Sequence, residues 1–305
     1  MRISIIGSGA IGTLYGGWLL SGGADVAFVA RGPRHDQIRD RGIILSGGVV
    51  EIIHRDINVA RDVNDLAPAD VLIFAVKSYD LDAAARAATN ALSSGGLVVG
   101  LQNGVDAGAM LSAIFDPDQV MVGPVYSAAT LTADGAVRYG GQRNDVVIGN
   151  ARGLVHPLAE PLIDHWRRAG VAASISDDIR TSLWTKYLFL ATNAALTCLS
   201  RQPAGVVYHD PLLLDLAERS IAEIAAVAAA EGVQLAPDAP AAALAILTAF
   251  PPDVVASMRQ DLDAGRRLEL EAISGTIVRL GRKHGVATPV HDVAYACLKP
   301  FADGA

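Results

Sequence analysis

The segment Gly7-Ser8-Gly9-Ala10-Ile11-Gly12 constrains this chain more than any other. It follows the short β-branched run Arg2–Gly7 and leads into Ile11–Leu20, whose apolar residues recur at helical spacing as far as Gly22-Gly23. A GxGxxG spacing alone is a weak pattern; between a strand and a helix it gains a mechanism. Gly7 permits the tight turn, Gly9 lets backbone N–H groups approach a pyrophosphate, and Gly12 lets the helix pack close to the strand. The arrangement predicts a dinucleotide cradle made of Gly7, Ser8, Gly9, Ala10, Ile11 and Gly12.

The end of the second strand refines the ligand. Asp25–Ala30 reads as that strand, and it is followed by Arg31-Gly32. An NAD-binding fold often places Asp or Glu there, on the ribose 2′-hydroxyl. A guanidinium at the same place can instead hold a 2′-phosphate bidentately. The sequence therefore predicts NADP(H), with Arg34 as a helper to Arg31. Two further strand ends point to the same edge, because ligands of open α/β sheets sit outside the carboxyl ends of the strands. Lys77 follows the apolar strand Val71–Val76, and Asn103 follows Leu97–Gly100. Both are expected beside the cofactor.

The rest of the chain divides into two textures. Over the first 175 residues, continuous apolar strands alternate with helices (Arg34–Arg41, Leu81–Leu92, Val105–Phe115, Leu154–Ala169), which indicates a parallel sheet covered on both faces. Ile43–Leu45 and Val49–Ile53 flank Gly47-Gly48 as a hairpin. Met121 to Gly149 reads as antiparallel strands, and Val171–Ile175 as a last short strand. From about Asp177 the strand signal disappears. Arg180–Ser200, Leu212–Glu231, Ala241–Phe250, Val254–Asp263, Arg266–Lys283 and Val290–Ala302 read as helices punctuated by prolines. The predicted fold class is α/β: a Rossmann-type, doubly wound, mostly parallel sheet over residues 1–176, followed by an all-helical domain over 177–305.

Composition narrows the function classes. The 305 residues carry a net charge of −7, which opposes a nucleic-acid footprint. The mean hydropathy of +0.33 invites a membrane reading, yet no run of about 18 uncharged apolar residues supports one. Its source is the Ala, Val, Leu and Ile of buried strands and helices. Met1-Arg2 leads straight into the first strand, so the protein reads as cytoplasmic. Cys198 and Cys297 lack metal spacing and read as buried free thiols rather than a disulfide. The seven histidines are scattered, so no metal site is expected.

These pieces resemble the ketopantoate reductase family (2-dehydropantoate 2-reductases). The resemblance rests on IIGSGAIG at the N-terminus, Arg31, Val76-Lys77-Ser78-Tyr79, Leu101-Gln102-Asn103-Gly104 and Trp184-Thr185-Lys186. It extends to Ser257-Met258-Arg259-Gln260-Asp261 with Arg266-Arg267-Leu268-Glu269. It implies reduction of a 2-oxo acid by NADPH, most specifically ketopantoate to pantoate on the way to pantothenate and coenzyme A. It also implies an active site in the cleft between the two domains. The family's general acid maps onto Lys186, and its carboxylate beside the reacting oxygen onto Glu269. Ser257 maps onto a substrate-carboxylate contact, with Asp261 one helical turn beyond it. Asn103 maps onto an asparagine beside cofactor and substrate, and Lys77 onto a lysine near the nicotinamide. The chemistry suits these residue types. Ketone reduction needs a proton at oxygen, which a cationic donor near the carbonyl can deliver while stabilising the developing charge.

The chain departs from the family at Leu190 and Ala194, four and eight residues after Lys186, where many members carry asparagine. Asn193, seven residues on, returns to within roughly 20° of the Lys186 direction, so it either takes over one of the missing substrate contacts or satisfies a backbone group. The departure keeps open a different oxo or hydroxy acid as substrate. A non-enzymatic NADP(H) sensor is a third reading, and the presence of Lys186 and Glu269 argues against it. Ile221–Ala230 is apolar nearly all round. It is expected to be buried within the chain, with a homodimer contact as its second use.

Overall fold

Six strands of the N-terminal half form one all-parallel sheet: β1 (Arg2–Ile6), β2 (Asp25–Val29), β3 (Asn58–Ala60), β4 (Ala69–Phe74), β5 (Leu92–Gly100) and β6 (Val120–Val122). Numbered within this sheet, their spatial order is β3-β2-β1-β4-β5-β6. The order reverses between β1 and β4, which is where doubly wound sheets open a ligand crevice. The register pairs Ile6 with both Val29 and Phe74, and Phe74 with Gly100. The segments following these four strands therefore leave the sheet along one edge. Ile3, Ile5, Val71, Leu72, Ile73, Phe74, Leu97, Val98 and Val99 are fully buried, as expected of strands covered on both faces.

The computed structural model describes residues 1–47, 51–140 and 144–304. The chain divides into two compact units, Met1–Asn103 with Ala107–Ile179, and Gly104–Asp106 with Arg180–Ala305. In the first unit the helices are α1 (Ala10–Ser21), α2 (Gly32–Arg41), α3 (Leu81–Ala87), α4 (Ala107–Ser112) and α5 (Ala159–Arg168). Leu14, Tyr15, Trp18 and Leu19 of α1 share one core with Leu162, Ile163 and Trp166 of α5 and with Ile3 and Ile5 of β1. The indole of Trp166 donates to the Tyr15 carbonyl at 3.1 Å, so its buried N–H is satisfied.

Several sequence expectations change here. Helix α4 is confined to Ala107–Ser112 within the predicted Val105–Phe115, and α5 starts only after His156-Pro157. Of the supposed antiparallel region, Val120–Val122 joins the parallel sheet, and Val146–Ile148 pairs in parallel with Ala173–Ile175. Ala128–Leu131 and Val137–Gly140 do pair antiparallel, within a second sheet that also holds Ile43–Ser46 and Ile52–His54, and single antiparallel bridges join Val122 to Gly149 and Val125 to Val146. Ile43–Ser46 pairs antiparallel with Ile52–His54, as a hairpin requires; Gly48, Val49 and Val50 of that hairpin lie outside the described residues.

The second unit contains α6 (Ile179–Ser200), α7 (Ala204–Val207), α8 (Pro211–Ala230), α9 (Ala239–Thr248), α10 (Ser257–Asp263), α11 (Thr276–His284) and α12 (Pro289–Leu298). No strand occurs among its described residues. Helix α8 starts on a side-chain cap, with Asp210 accepting from the Leu212 and Leu213 amides at 2.9 and 3.0 Å. Its apolar stretch is two-sided. Ile221, Ile224, Val227 and Ala228 are buried, while Ala222, Ala226, Ala229 and Ala230 are exposed. Both cysteines are free; Cys198 is buried, with its thiol pushed up to about 12 by burial, whereas Cys297 is exposed, contrary to expectation.

The predicted single helix Arg266–Lys283 is broken. Residues 266–269 are irregular, Glu271–Gly275 forms one turn of π-helix, and only then does α11 begin. Tertiary bonds take the place of helical ones: the Leu268 amide donates to the Ala302 carbonyl at 2.9 Å. The wide turn closes with Gly275 donating to the Leu270 carbonyl at 2.9 Å. Such insertions frequently mark functional positions.

Candidate active site

The glycine loop is built by close approach. Gly7 has φ +99°, and a Cβ there would lie 2.6 Å from the Val76 amide nitrogen. A Cβ on Gly12 would fall 2.0 Å from the Gly7 carbonyl oxygen, so Gly12 packs α1 against the loop itself. Gly9 is different: a Cβ there would meet nothing within 4 Å. It is the N-cap of α1 and carries no side-chain cap. The open space over Gly9 and the amides of the first turn of α1 form the kind of cradle that fits a pyrophosphate.

Neighbouring side chains hold this loop from behind. The Ser8 hydroxyl donates to the Val29 carbonyl at 2.9 Å and is buried, so only the Ser8 backbone faces the cradle. Arg34 donates to the Ser8 carbonyl at 2.9 Å, to the Gly135 carbonyl at 2.8 Å and to the Thr13 hydroxyl at 2.9 Å. Burial lowers its pKa to about 10. Arg34 thus braces the loop, in part through Gly135, 101 residues away. Arg31 is exposed at the N-cap of α2.

Lys77 and Asn103 both emerge half-buried from the same sheet edge, Lys77 three residues after β4 and Asn103 three residues after β5. Gln102, which sequence reasoning passed over, ties these two exits together. Its amide donates to the carbonyls of Phe74 at 2.9 Å and Val76 at 3.1 Å. Its buried Oε1 has no hydrogen-bond partner, a polar atom of the kind a cofactor or water satisfies. This edge therefore fits a dinucleotide by its open glycine, its helix N-terminus and its polar groups.

The second unit holds the ionisable pair. Lys186 is 7% exposed on α6, flanked by buried Trp184, Tyr187 and Leu188. Burial drives its pKa down to about 7, and the nearby Glu269 carboxylate works in the opposite direction. Glu269 is itself 5% exposed, in the irregular segment just before the π turn. Next to Lys186, the Tyr187 hydroxyl donates to the Ala272 carbonyl at 2.9 Å and also contacts the Ile273 carbonyl. The lysine helix is thereby fastened to the segment that follows Glu269.

The other candidates separate. Ser257 is exposed in the first turn of α10. Asp261 is buried and accepts from the Arg266 guanidinium at 2.8 Å. Asn193 is buried on α6, its side-chain carbonyl accepting from the Tyr208 hydroxyl at 2.9 Å. Among the described residues no cluster of three His, Cys, Asp or Glu is placed to hold a metal, and no helix is long and apolar enough to cross a membrane.

Residues 3–153 match the family model Ketopantoate reductase PanE/ApbA, and residues 178–302 match Ketopantoate reductase PanE/ApbA C terminal. The chain is 31% identical over 305 residues to a 2-dehydropantoate 2-reductase of Mycobacterium tuberculosis, covering 99% of this chain and 98% of that one. Among solved structures, a PanE/ApbA family ketopantoate reductase from Ralstonia eutropha JMP134 matches with a TM-score of 0.90 at 31% identity, covering 99% of this chain and 98% of that one. The fold is also that of a D-mandelate dehydrogenase solved with NADH and anilino(oxo)acetate, at a TM-score of 0.89 and 24% identity, covering 99% and 98% of the two chains. The two family matches together span both units and nearly the whole chain, so the chain belongs to the ketopantoate reductase family and is an oxidoreductase acting on CH–OH groups.

Proposed function

We propose that the protein reduces 2-dehydropantoate to pantoate with NADPH, residues 1–176 holding the cofactor and 177–305 supplying the acid chemistry. The observation that carries this reading is Lys186: a buried lysine brought to about 7, with the Glu269 carboxylate beside it. A general acid works best when its pKa lies near the working pH, and burial is what brings a lysine there.

The cofactor would lie along the glycine loop, on the backbone of Gly7, Ser8, Gly9, Ala10, Ile11 and Gly12, with Arg31 at a 2′-phosphate and Lys77 and Asn103 toward the nicotinamide. When bound, it supplies the hydride that reaches the carbonyl carbon. The ammonium of Lys186 gives its proton to the carbonyl oxygen as the C–H bond forms, which converts ketone to alcohol without a free alkoxide. Glu269 keeps the lysine charged enough to donate and orients it or the new hydroxyl. Asn103, Ser257, Asp261 and Asn193 are the candidates for holding the substrate carboxylate and hydroxyl. The reaction is that of a soluble enzyme on a small anionic acid. A homodimer contact, if formed, falls to the exposed alanines of α8.

A second reading keeps the reaction and changes the acid. Leu190 packs against the core of the second unit and Ala194 is buried within it, so the face of α6 beyond Lys186 offers few polar groups besides Asn193. That face suits a 2-oxo acid with a less polar side chain. The fold, shared with a D-mandelate dehydrogenase, does not by itself select the acid. NADPH oxidation by the purified protein with ketopantoate, beside 2-oxo acids of graded polarity, tests both. The leading reading expects the highest kcat/KM with ketopantoate. A clear preference for an apolar acid replaces it with the second, and no turnover with any acid overturns both.

A further inference from the structure

The second unit also contains a continuous buried polar chain to which the proposed reaction assigns no role. The Thr192 hydroxyl of α6 contacts the Ser220 hydroxyl of α8 at 2.8 Å. Ser220 contacts Nε2 of His291 on α12 at 2.9 Å, and Nδ1 of His291 reaches the Ser274 hydroxyl at 3.4 Å. Ser274 belongs to the π turn that follows Glu269. All four residues are 0% exposed. Around them lie the side chains of an otherwise apolar core, including Leu188, Ile221, Ile224, Ile273 and Ile277.

Four polar residues without solvent access are unfavourable in such a core unless every group is paired. Here the pairing works. Burial holds the His291 pKa down at about 3, so the ring is neutral, with one nitrogen donating and the other accepting. Hydroxyls both give and accept, so the chain is satisfied whichever tautomer is present. One turn along α8 from Ser220, the buried Glu223 accepts from the Val290 and His291 amides at 2.8 and 3.2 Å. That is why the only charge in the apolar stretch of α8 points inward: it caps α12 and presents His291 to the chain.

We infer that the Thr192–Ser220–His291–Ser274 chain is a positioning device that sets the register of the Lys186 helix against the segment carrying Glu269. The inference rests on the catalytic roles proposed for those two residues. Thr192 lies six residues along α6 from Lys186, about 9 Å by helical rise. Ser274 lies five residues beyond Glu269. Apolar helices repack with small shifts at little penalty, whereas a fully paired polar chain accepts one arrangement. Two buried charges feel such a shift strongly, because their coupling depends on separation in a weakly screening interior. Tyr187 supplies a second fastening to the same segment, so loss of the chain loosens the pair without freeing it.

The test uses Thr192→Val, which removes the hydroxyl at constant shape, and Ser274→Ala at the other end, with Thr192→Ser as the conservative control. With Glu269 loosened, its support of the lysine charge weakens and the Lys186 pKa falls further. We expect kcat to drop by roughly tenfold, the alkaline limb of the kcat profile to move to lower pH, and KM for NADPH to hold, with Thr192→Ser close to wild type. If the first two variants melt at lower temperature yet keep the wild-type kcat and pH limb, the chain is only structural and the inference is wrong. If Thr192→Val does not fold, Ser274→Ala reads the same quantity. Lys186→Ala separates the levels: full turnover there removes the proposed catalytic role, while an inactive Lys186→Ala beside silent chain variants removes this inference alone.

Discussion

The glycine loop and the Lys186–Glu269 pair are built on opposite principles. The loop works by leaving side chains out. Gly7 and Gly12 let backbone meet backbone at distances no Cβ tolerates, and Gly9 leaves open the space that a ligand needs. The pair works by forcing side chains in. A lysine and a glutamate, residue types that are rarely buried, sit 7% and 5% exposed in an apolar unit, and the lysine proton becomes labile near neutrality as a result. In the roles proposed for them, the backbone site binds without depending on pH, while the site of buried charges reacts and is tuned by its surroundings.

The largest effect should come from the second kind of site. Lys186→Ala should lower kcat by about a thousandfold, the middle of the range for a lost general acid, while NADPH affinity by fluorescence titration stays near wild type. With Lys186 as the proposed proton donor, the rate depends on the protonated lysine, so kcat should fall as pH rises through about 7, the value to which burial brings it. That limb should vanish in the variant. A retained limb would assign it to another group and break the contrast.

The loop should respond in the opposite sense, in binding rather than in rate. Gly9→Ala should melt with the wild type, because its methyl enters open space. It should nevertheless lose cofactor affinity by roughly tenfold, about 1.4 kcal/mol. Gly12→Ala should lose both, since its methyl would sit 2.0 Å from the Gly7 oxygen. Unchanged affinity in Gly9→Ala would mean that the open space is not the cofactor's.

The same contrast explains what the sequence made legible. A backbone site announces itself locally: the strand, glycine loop and helix are contiguous, and the GxGxxG spacing follows from geometry within six residues. The parallel character of the sheet was likewise visible in the apolar runs Val71–Phe74 and Leu97–Val99. The break at residues 266–269 was not, because it depends on Ala302 accepting from Leu268 and on Tyr187 reaching the π turn from another helix. The bracing contacts of Arg34 are hidden for the same reason: they include Gly135, which the chain reaches a hundred residues later. Glu223 finds its partners, the Val290 and His291 amides, only because α12 packs against α8. Local pattern finds what backbone does; it misses side chains whose partners arrive by tertiary folding.

Arg31, the side chain of the first unit proposed for a 2′-phosphate, sharpens the contrast through an effect confined to one cofactor. It is exposed, so its attraction for a phosphate competes with water and is limited in size. The carboxylate whose charge it feels, Asp62, is already occupied: Asp62 accepts from the Asn64 amide and side chain, both at 2.9 Å, and caps the turn Val63–Asp65. Asp62 is thus held as a cap of that turn, which leaves the guanidinium as the group proposed for a 2′-phosphate. Arg31→Ala should raise KM for NADPH by about tenfold, the loss of roughly one charge-assisted contact. KM for NADH should hold, because that cofactor has no phosphate to lose. Equal changes with both cofactors would make Arg31 a general contributor to the positive field, and no change with either would leave the preference to the backbone alone.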